Sequence, residues 1–272
     1  MSHRSSSNPR RSKVVKNQPP QWHDKGTTPL DEVVEIVELP DREDGGLHVD
    51  PNTIELDSAM VQLIHDYVAS LAAMYRDNSF HSFEHASHVT MSVAKLLSRI
   101  VAPSDMDFTD GNQASASLHD HTYGITSDPL TQFACVLSAL IHDVDHQGVP
   151  NSTLVAEADP LMEIYGGKSL AEQNSVDEAW DLLMTEKFQP LVAVLCQDEV
   201  ELARLRQLVV NAVMATDIMD PDLKKLRNGR WDKAFNQTDA ENQDTSREAV
   251  NRKATIVIEH LIQASDVSHT MQ

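Results

Sequence analysis

Histidine and aspartate residues concentrate in three short stretches that could bind a metal ion. FHSFEHASHV covers residues 80–89, HDVDH covers residues 142–146 and QASDVSHTMQ covers residues 263–272. Imidazole nitrogens and carboxylate oxygens form a hard-to-borderline ligand set that suits zinc, manganese, iron or magnesium. Residues spaced four apart, as His81 and His85 are, project from the same face of a helix, one turn apart. The pattern therefore indicates a metal centre assembled from distant parts of the chain.

The HDVDH stretch is the strongest support for this hypothesis. It directly follows residues 133–141, the most apolar run of the chain, and charges at the end of a buried helix need partners or a metal ion. Other acids have plainer explanations. Ser169 and Glu172 match the capping-box pattern that opens a helix, and Asp266 by itself is weak evidence. Residues 119–121 (His-Asp-His) lie in a polar stretch without an apolar frame, so we expect them to be solvated.

Apolar periodicity predicts the elements that must position these residues. From about residue 57 onward, apolar residues recur at spacings of three and four, as in amphipathic helices. One stripe begins at Met60 and another at Val89, and the second ends before Pro103, as expected ahead of a proline. Residues 103–129 are polar and rich in turn formers, which predicts a surface loop. Since no window alternates convincingly at period two, the predicted fold class is all-α, in one domain.

Composition excludes several classes of function. The 272 residues carry 22 Lys and Arg against 42 Asp and Glu, a formal charge of −20, which disfavours a nucleic-acid partner. No apolar run approaches the ~20 residues of a membrane span, so we expect no membrane segment in this chain. Cys135 and Cys196 lie in apolar runs, which favours a reducing, cytoplasmic compartment. Residues 1–50 are predicted to be a disordered basic tail and linker, because basic residues dominate residues 1–25.

Five motifs in a fixed order carry a more specific resemblance. FHSFEHASHV, ALIHDVDHQGVPNSTLV, SLAEQNS, VMATDIM and ASDVSHTMQ are similar to the catalytic domain of class I 3′,5′-cyclic nucleotide phosphodiesterases, within the HD superfamily of metal phosphohydrolases. We therefore assign residues 51–272 to the N-terminal and central part of such a domain. The resemblance implies a multi-helix, all-α fold and hydrolysis of cAMP or cGMP to the nucleoside 5′-monophosphate, in cyclic nucleotide signal transduction.

The resemblance also implies a role for each matched residue. His85, His142, Asp143 and Asp266 would bind one metal ion, usually zinc in this family. Asp143 would bridge to a second ion, usually magnesium or manganese. His81 would protonate the departing O3′, and with His85, Asp143 and Asp266 it would face the cyclic nucleotide substrate. The positions that in the family hold the water shell of the second metal are His146, Glu172 and Thr216.

These roles agree with the chemistry of a phosphodiester. The substrate is an anion, so attack on it needs a strong nucleophile and neutralisation of charge, which two neighbouring metal ions can supply. A carboxylate such as Asp143 can bridge two ions because it has two oxygens. The alkoxide leaving group needs a proton, which a histidine with a pKa near ~6.5 can deliver.

The sequence departs from the family pattern at several positions. Phe80 stands where the family more often has Tyr, Ser82 where it has Asn, and residues 173–175 (Gln-Asn-Ser) replace Asn-His-His. The family's purine-binding glutamine and aromatic clamp follow in helices beyond the position of Gln272. The resemblance thus implies a C-terminally truncated domain, lacking its last helices and derived from a longer multidomain signalling protein. Two alternatives stay open: an inactive fragment that only binds metal, and another HD-type nucleotide phosphohydrolase.

Overall fold

The computed structural model describes residues 27–40, 55–101, 118–235 and 246–268, and within them it contains helices and no strand. The all-α prediction is confirmed. The α-helices are α1 (Ser58–Ala72), α2 (Phe83–Val101), α3 (Pro129–Ile141), α4 (Asn151–Ala156), α5 (Leu161–Tyr165), α6 (Leu170–Leu183), α7 (Gln189–Leu195), α8 (Glu199–Met214), α9 (Pro221–Phe235) and α10 (Arg247–Ser268). Short 3₁₀ turns at Ile125–Ser127 and Glu186–Phe188 precede α3 and α7.

Local sequence explains where the long helices begin. Ser82 precedes α2, and its hydroxyl accepts a hydrogen bond from the backbone N–H of His85 at 3.2 Å. Asp198 caps α8 in the same way, since its carboxylate accepts from the N–H groups of Val200 and Glu201, both at 2.9 Å. Pro129 occupies the first turn of α3, where a missing N–H costs nothing.

The centre of the bundle is α3, which packs against both α2 and α8, while α10 packs against α2. Its buried apolar residues, such as Ala139, belong to one continuous core with apolar residues of the neighbouring helices, among them Val89, Val93, Leu205 and Val209. This packing brings the start of α2, the C-terminal end of α3 and the last turns of α10 together. These are the three segments that carry the sequence motifs. Among the described residues, no helix is both long and apolar enough to cross a membrane.

Residues 27–40, a turn at residues 29–32 followed by a largely extended stretch, lie against the helices and are called the N-terminal strap below. The sequence placed this segment within a disordered tail, and the structure corrects that prediction for residues 27–40. Val37 and Leu39 are only 2% and 3% exposed and belong to the main core. Their burial contributes about 1.5–3 kcal/mol each toward the entropy cost of ordering the strap. Residues 1–26 and 41–54 lie outside the described part of the chain.

The predicted surface loop at residues 103–129 is also corrected over its second half. Leu118, Thr122 and Ile125 are buried, and His119 has its Nδ1 2.8 Å from the hydroxyl of Ser127. The prediction that residues 119–121 are solvated, with no apolar surroundings to hold them, was therefore wrong for His119. Asp120 and His121 are exposed. The first half of the loop falls on residues 102–117, outside the described residues.

Candidate metal centre

Four side chains from three helical segments direct their polar atoms to one point. Nε2 of His85 lies 3.0 Å from Oδ1 of Asp266 and 3.7 Å from Oδ2 of Asp143. Nε2 of His142 lies 3.3 Å from Oδ2 of Asp143 and 3.7 Å from Oδ1 of Asp266. These four residues, called the His/Asp cluster below, are the four that the sequence resemblance assigned to one metal ion.

Buried polar atoms without partners show that the cluster fits a cation. Nε2 of His142 and Oδ2 of Asp143 are buried, and neither has a hydrogen-bond partner among the described residues. Nδ1 of His142 lies 2.9 Å from the carbonyl oxygen of Ala139. A carbonyl can only accept, so Nδ1 donates and Nε2 of the neutral ring keeps its lone pair for a metal. A divalent cation among these atoms would satisfy both of them, since an unpaired buried polar atom is costly.

The charges of the cluster are strongly coupled. Burial opposes protonation of His142, but Asp143 and Asp266 outweigh it and raise the pKa of His142 to about 9. Burial likewise opposes ionisation of Asp266, yet His142 and His85 hold the pKa of its carboxyl well below the ordinary value. The carboxylates of Asp143 and Asp266 thus stabilise a positive charge in the protein interior, which is the electrostatic environment that a metal cation needs.

His81 lies beside the cluster, but not on the helix that the four-residue spacing predicted. Because α2 begins at Phe83, His81 precedes the helix. The prediction that His81 and His85 project from the same helix face, one turn apart, was therefore wrong. Its ring lies instead on the ring of His146, with centroids 3.6 Å apart and planes 16° apart. Ligand atoms of His81, Asp143 and His146 lie within 4.8 Å of one another. The side chain of His81 is therefore adjacent to Asp143 but does not belong to the His/Asp cluster.

Both stacked imidazoles favour the neutral form. Burial lowers the pKa of His81, although the charge of Asp143 opposes the shift. Burial, with His81 alongside, lowers the pKa of His146 to about 4. The backbone N–H of Gly148 donates to Nδ1 of His146 at 2.9 Å, which fixes the orientation of that ring.

Glu172 lies in a network of acids rather than in the predicted capping box. The helix α6 does begin after Ser169, but the Ser169 hydroxyl forms no cap bond and donates instead to Oδ2 of Asp217 at 2.7 Å. Burial and the charge of Asp217 raise the pKa of Glu172 to about 7. Thr216 directly precedes Asp217, and its hydroxyl donates to the carbonyl oxygen of Val213 at 2.7 Å.

Asn151 is a site residue that the sequence reasoning did not single out. Its side-chain amide donates to Oε2 of Glu172 at 2.8 Å and reaches Oδ2 of Asp217 at 3.4 Å. Its carbonyl oxygen accepts from the N–H of Ala171 at 3.0 Å. Asn151 therefore joins the two carboxylates, and its place five residues after His146 was the available signal.

Asp145 was also missed, and it shapes the turn between the two halves of HDVDH. Its backbone is left-handed, with a φ of 57°. Arg76 donates two hydrogen bonds to its carboxylate, at 2.7 and 3.0 Å, and Asn174 adds one at 3.2 Å. These contacts stabilise an unfavourable backbone conformation in the turn that joins Asp143 to His146. Nothing in the sequence spacing indicated that Arg76 would reach this turn.

This chain is similar in sequence to animal cyclic nucleotide phosphodiesterases. The human cGMP-inhibited 3′,5′-cyclic phosphodiesterase 3A is 30% identical over 178 residues, which cover 56% of this chain and 15% of that protein. The probable 3′,5′-cyclic-AMP phosphodiesterase pde-4 of Caenorhabditis elegans is 28% identical over 152 residues, covering 56% and 19%. This chain thus spans less than a fifth of the length of either relative.

The fold has a counterpart among solved structures. The structure of LmjPDEB1 in complex with IBMX superposes with a TM-score of 0.52 at 21% sequence identity, covering 78% of this chain and 54% of that one. The sequence profile of the 3′5′-cyclic nucleotide phosphodiesterase family matches residues 80–272. Those residues include every member of the His/Asp cluster and the stacked histidines beside it, and the chain belongs to this family.

Proposed function

We propose that this chain carries out metal-dependent hydrolysis of 3′,5′-cyclic nucleotides, cAMP or cGMP, to nucleoside 5′-monophosphates. The observation that carries the proposal is the convergence of the His/Asp cluster, with two buried polar atoms that lack partners among the described residues. Membership of the phosphodiesterase family supports the substrate class. The proposal assigns residues 51–272 to the catalytic domain and a cytoplasmic location to the protein, which the buried free thiols of Cys135 and Cys196 support.

In this proposal His85, His142, Asp143 and Asp266 hold one metal ion, with zinc as the first choice. Each imidazole Nε2 lies 3.0–3.7 Å from one oxygen of Asp143 and one oxygen of Asp266, and two nitrogens with two carboxylate oxygens support a site of low coordination number, as zinc prefers. The second oxygen of Asp143 is available to a second ion, magnesium or manganese. When bound, the two cations would neutralise the charge of the phosphate and activate a water molecule.

The residues around the metals orient the substrate and move protons. His81 is the proposed proton donor, because its ring lies beside Asp143 but outside the His/Asp cluster. The imidazolium form of this ring, a stronger acid than an ordinary histidine because burial lowers the pKa of His81, would give its proton to O3′ as the ester bond breaks. Its stacking on His146 at 3.6 Å restricts the rotation of the ring, so that the donor atom stays directed toward the substrate. Together with His85, Asp143 and Asp266 it forms the proposed substrate contact.

Glu172, Thr216 and His146 are proposed to hold water around the second ion. Glu172, with a pKa raised to about 7, can exist in either protonation state near neutral pH and can exchange a proton with such water. Asn151 keeps its carboxylate in place through a 2.8 Å hydrogen bond. In the neutral form of His146, favoured by a pKa of about 4, Nδ1 accepts from the Gly148 N–H, so Nε2 carries the proton and can donate to such water.

The test is hydrolysis of cAMP and of cGMP by the purified chain with zinc plus magnesium or manganese, followed by chromatography of the 5′-monophosphate. His142→Ala and Asp266→Ala should abolish turnover and reduce the zinc content measured by elemental analysis. His260→Ala is the matched control, because His260 lies on α10 with Asp266 and is exposed. Unchanged turnover in the two cluster variants would refute the metal assignment. Zinc binding without hydrolysis of either nucleotide would favour a chain that only binds metal, and hydrolysis of other nucleotides alone would favour a different HD-type activity.

A further inference from the structure

The N-terminal strap is bound to the helices through its backbone, in the way that a peptide binds in a groove. The amide side chain of Asn211 on α8 pairs with Val34: its Oδ1 accepts from the Val34 N–H at 3.2 Å, and its Nδ2 donates to the Val34 carbonyl at 2.8 Å. One side chain thus satisfies both backbone groups of a strap residue. This reproduces one rung of a β-ladder with an amide instead of a second strand.

The same recognition is repeated along the strap by side chains from two other helices. On α6, Oε1 of Gln173 accepts from the N–H of Leu30 at 3.0 Å. On α10, the hydroxyl of Thr255 accepts from the N–H of Val37 at 3.0 Å. A second contact from α10 is longer, with Oδ1 of Asn251 3.4 Å from the nitrogen of the Leu39 N–H. The strap therefore contacts α6, α8 and α10 in turn.

These helix residues are polar side chains placed in the interior of the protein. Gln173, Asn211, Thr255 and Asn251 are 0%, 1%, 1% and 5% exposed. Buried polar groups are costly unless they have partners, and removal of a partner leaves that cost uncompensated. The strap supplies those partners. The faces of α6, α8 and α10 therefore bind the backbone of the strap through polar side chains and not only through apolar contact.

Charge pairs fix the register of the strap. Arg206 on α8 donates two hydrogen bonds to the carboxylate of Glu32, at 2.9 and 2.8 Å, and one to Asp177 on α6 at 3.2 Å. Lys233 on α9 lies 2.5 Å from Glu35. Arg206 thus joins the strap, α6 and α8 through one planar group, and the bidentate geometry adds directional specificity.

Two of the residues that bind the strap also lie close to the site along their helices. Gln173 directly follows Glu172 and also donates to the carbonyl of Lys168 at 2.7 Å, next to the Ser169 that binds Asp217. Thr255 lies three helical turns before Asp266 on α10. Between them Gln263 donates to the carbonyl of Ala215 at 2.6 Å, which joins α10 to the end of α8.

We propose that the N-terminal strap is a clamp that positions α10, and with it Asp266, relative to the ligands on α2 and α3. The strap lies before residues 80–272, the part that matches the family. The proposal rests on the function proposed above only in that the His/Asp cluster binds zinc. Residues 27–40 are thus a positioning element, and occupancy of their groove controls the zinc affinity.

The first experiment cuts the strap free in the folded full chain. A specific protease site is inserted between Gly45 and Gly46, and the zinc-loaded protein is cleaved and then diluted. We expect the fragment to dissociate on dilution and the zinc affinity, followed with a chromophoric chelator, to fall by about 10–100-fold, as for loss of outer-shell support. A synthetic peptide of residues 27–40 should restore the affinity, and the same peptide with Val37→Asp and Leu39→Asp should not. Unchanged zinc affinity after the fragment has left would overturn the clamp.

The second experiment leaves the chain intact and removes one strap contact. Thr255→Val deletes the acceptor for the Val37 N–H at nearly constant shape. Thr90→Val on α2 is the matched control, since both hydroxyls also donate to a backbone carbonyl four residues earlier, at 2.7 Å, and only Thr255 contacts the strap. We expect a zinc affinity at least threefold lower for Thr255→Val than for Thr90→Val. Equal affinities would contradict the clamp. Because zinc binding is the readout, the result stands whether or not the chain hydrolyses cyclic nucleotides.

Discussion

Nε2 of His85 lies 3.0 Å from Oδ1 of Asp266 although 181 residues separate them in the chain. His85 is fixed near the start of α2 by the Ser82 cap, and Asp266 is fixed near the end of α10, which packs against α2. The contact therefore exists only when the bundle is assembled. Since the unfolded chain cannot hold the cluster together, metal binding and folding should be coupled.

Removal of metal should lower the thermal stability of the protein. A zinc ion that binds only the folded state stabilises it by about 2.7 kcal/mol when free zinc is at 100 times Kd. We expect zinc to raise Tm by several degrees and a chelator to reverse the change, measured by differential scanning fluorimetry. Asp266→Ala should show no such response, whereas Asp66→Asn on the exposed face of α1 should respond like the parent chain. A zinc-dependent rise in Tm that persists in Asp266→Ala would place the ion elsewhere.

Replacement of His81 should separate chemistry from metal binding. His81→Ala removes the proposed proton donor but none of the four cluster atoms, so zinc content should persist while kcat falls by about 10²–10⁴-fold. KM should change much less than kcat, because the proton is transferred only in the transition state. Elemental analysis and steady-state kinetics on the same preparation provide the measurement. Loss of zinc together with activity would instead make His81 a ligand.

The buried ion pair between Arg230 and Glu259 should be essential for stability. The side chain of Arg230 is 0% exposed and pairs with Glu259, whose side chain is 6% exposed. The guanidinium also donates to the carbonyl of Val34 in the strap at 3.2 Å. Glu259→Gln should lower the free energy of unfolding by about 3–5 kcal/mol, because the remaining charge stays buried. Urea denaturation gives the value. The control on the same helix is Glu248→Gln. The carboxylate of Glu248 is 71% exposed where it pairs with Arg252, so its replacement should cost less than about 1 kcal/mol. Similar losses in both variants would contradict this distinction.

The two thiols should resist alkylation in the native protein. Burial raises the pKa of Cys135 to about 12 and that of Cys196 to about 11. The reactive thiolate is the deprotonated form, so a raised pKa lowers its population at pH 8, to on the order of 10⁻⁴ for a pKa near 12. Iodoacetamide followed by mass spectrometry should therefore label neither residue before unfolding and both afterward in urea. Rapid labelling of Cys135 in the native state would show that its helix opens locally.

Much of the fold could be predicted from the sequence because helices leave a local record. The stripes at Met60 and Val89 became α1 and α2, and the apolar run before His142 became α3, since burying one face requires a spacing of three and four. The sequence of the strap has no such apolar periodicity. Val37 and Leu39 are buried by an extended segment whose partners are single side chains on distant helices, and no periodicity reports such a contact.

Some features of the candidate site could likewise be predicted from the sequence, and others depend on the tertiary structure. The amino-acid sequence by itself determined the chemistry: which imidazoles and carboxylates are available, the motif order that marks the family, and the choice of His85, His142, Asp143 and Asp266. Only the tertiary structure decided the geometry. It placed His81 outside α2 and turned Ser169 from a cap toward Asp217, and it inserted Asn151 between two acids. The physical reason is that ligand identity is a property of single residues, whereas distances of 3–4 Å between cluster atoms depend on how separate helices pack.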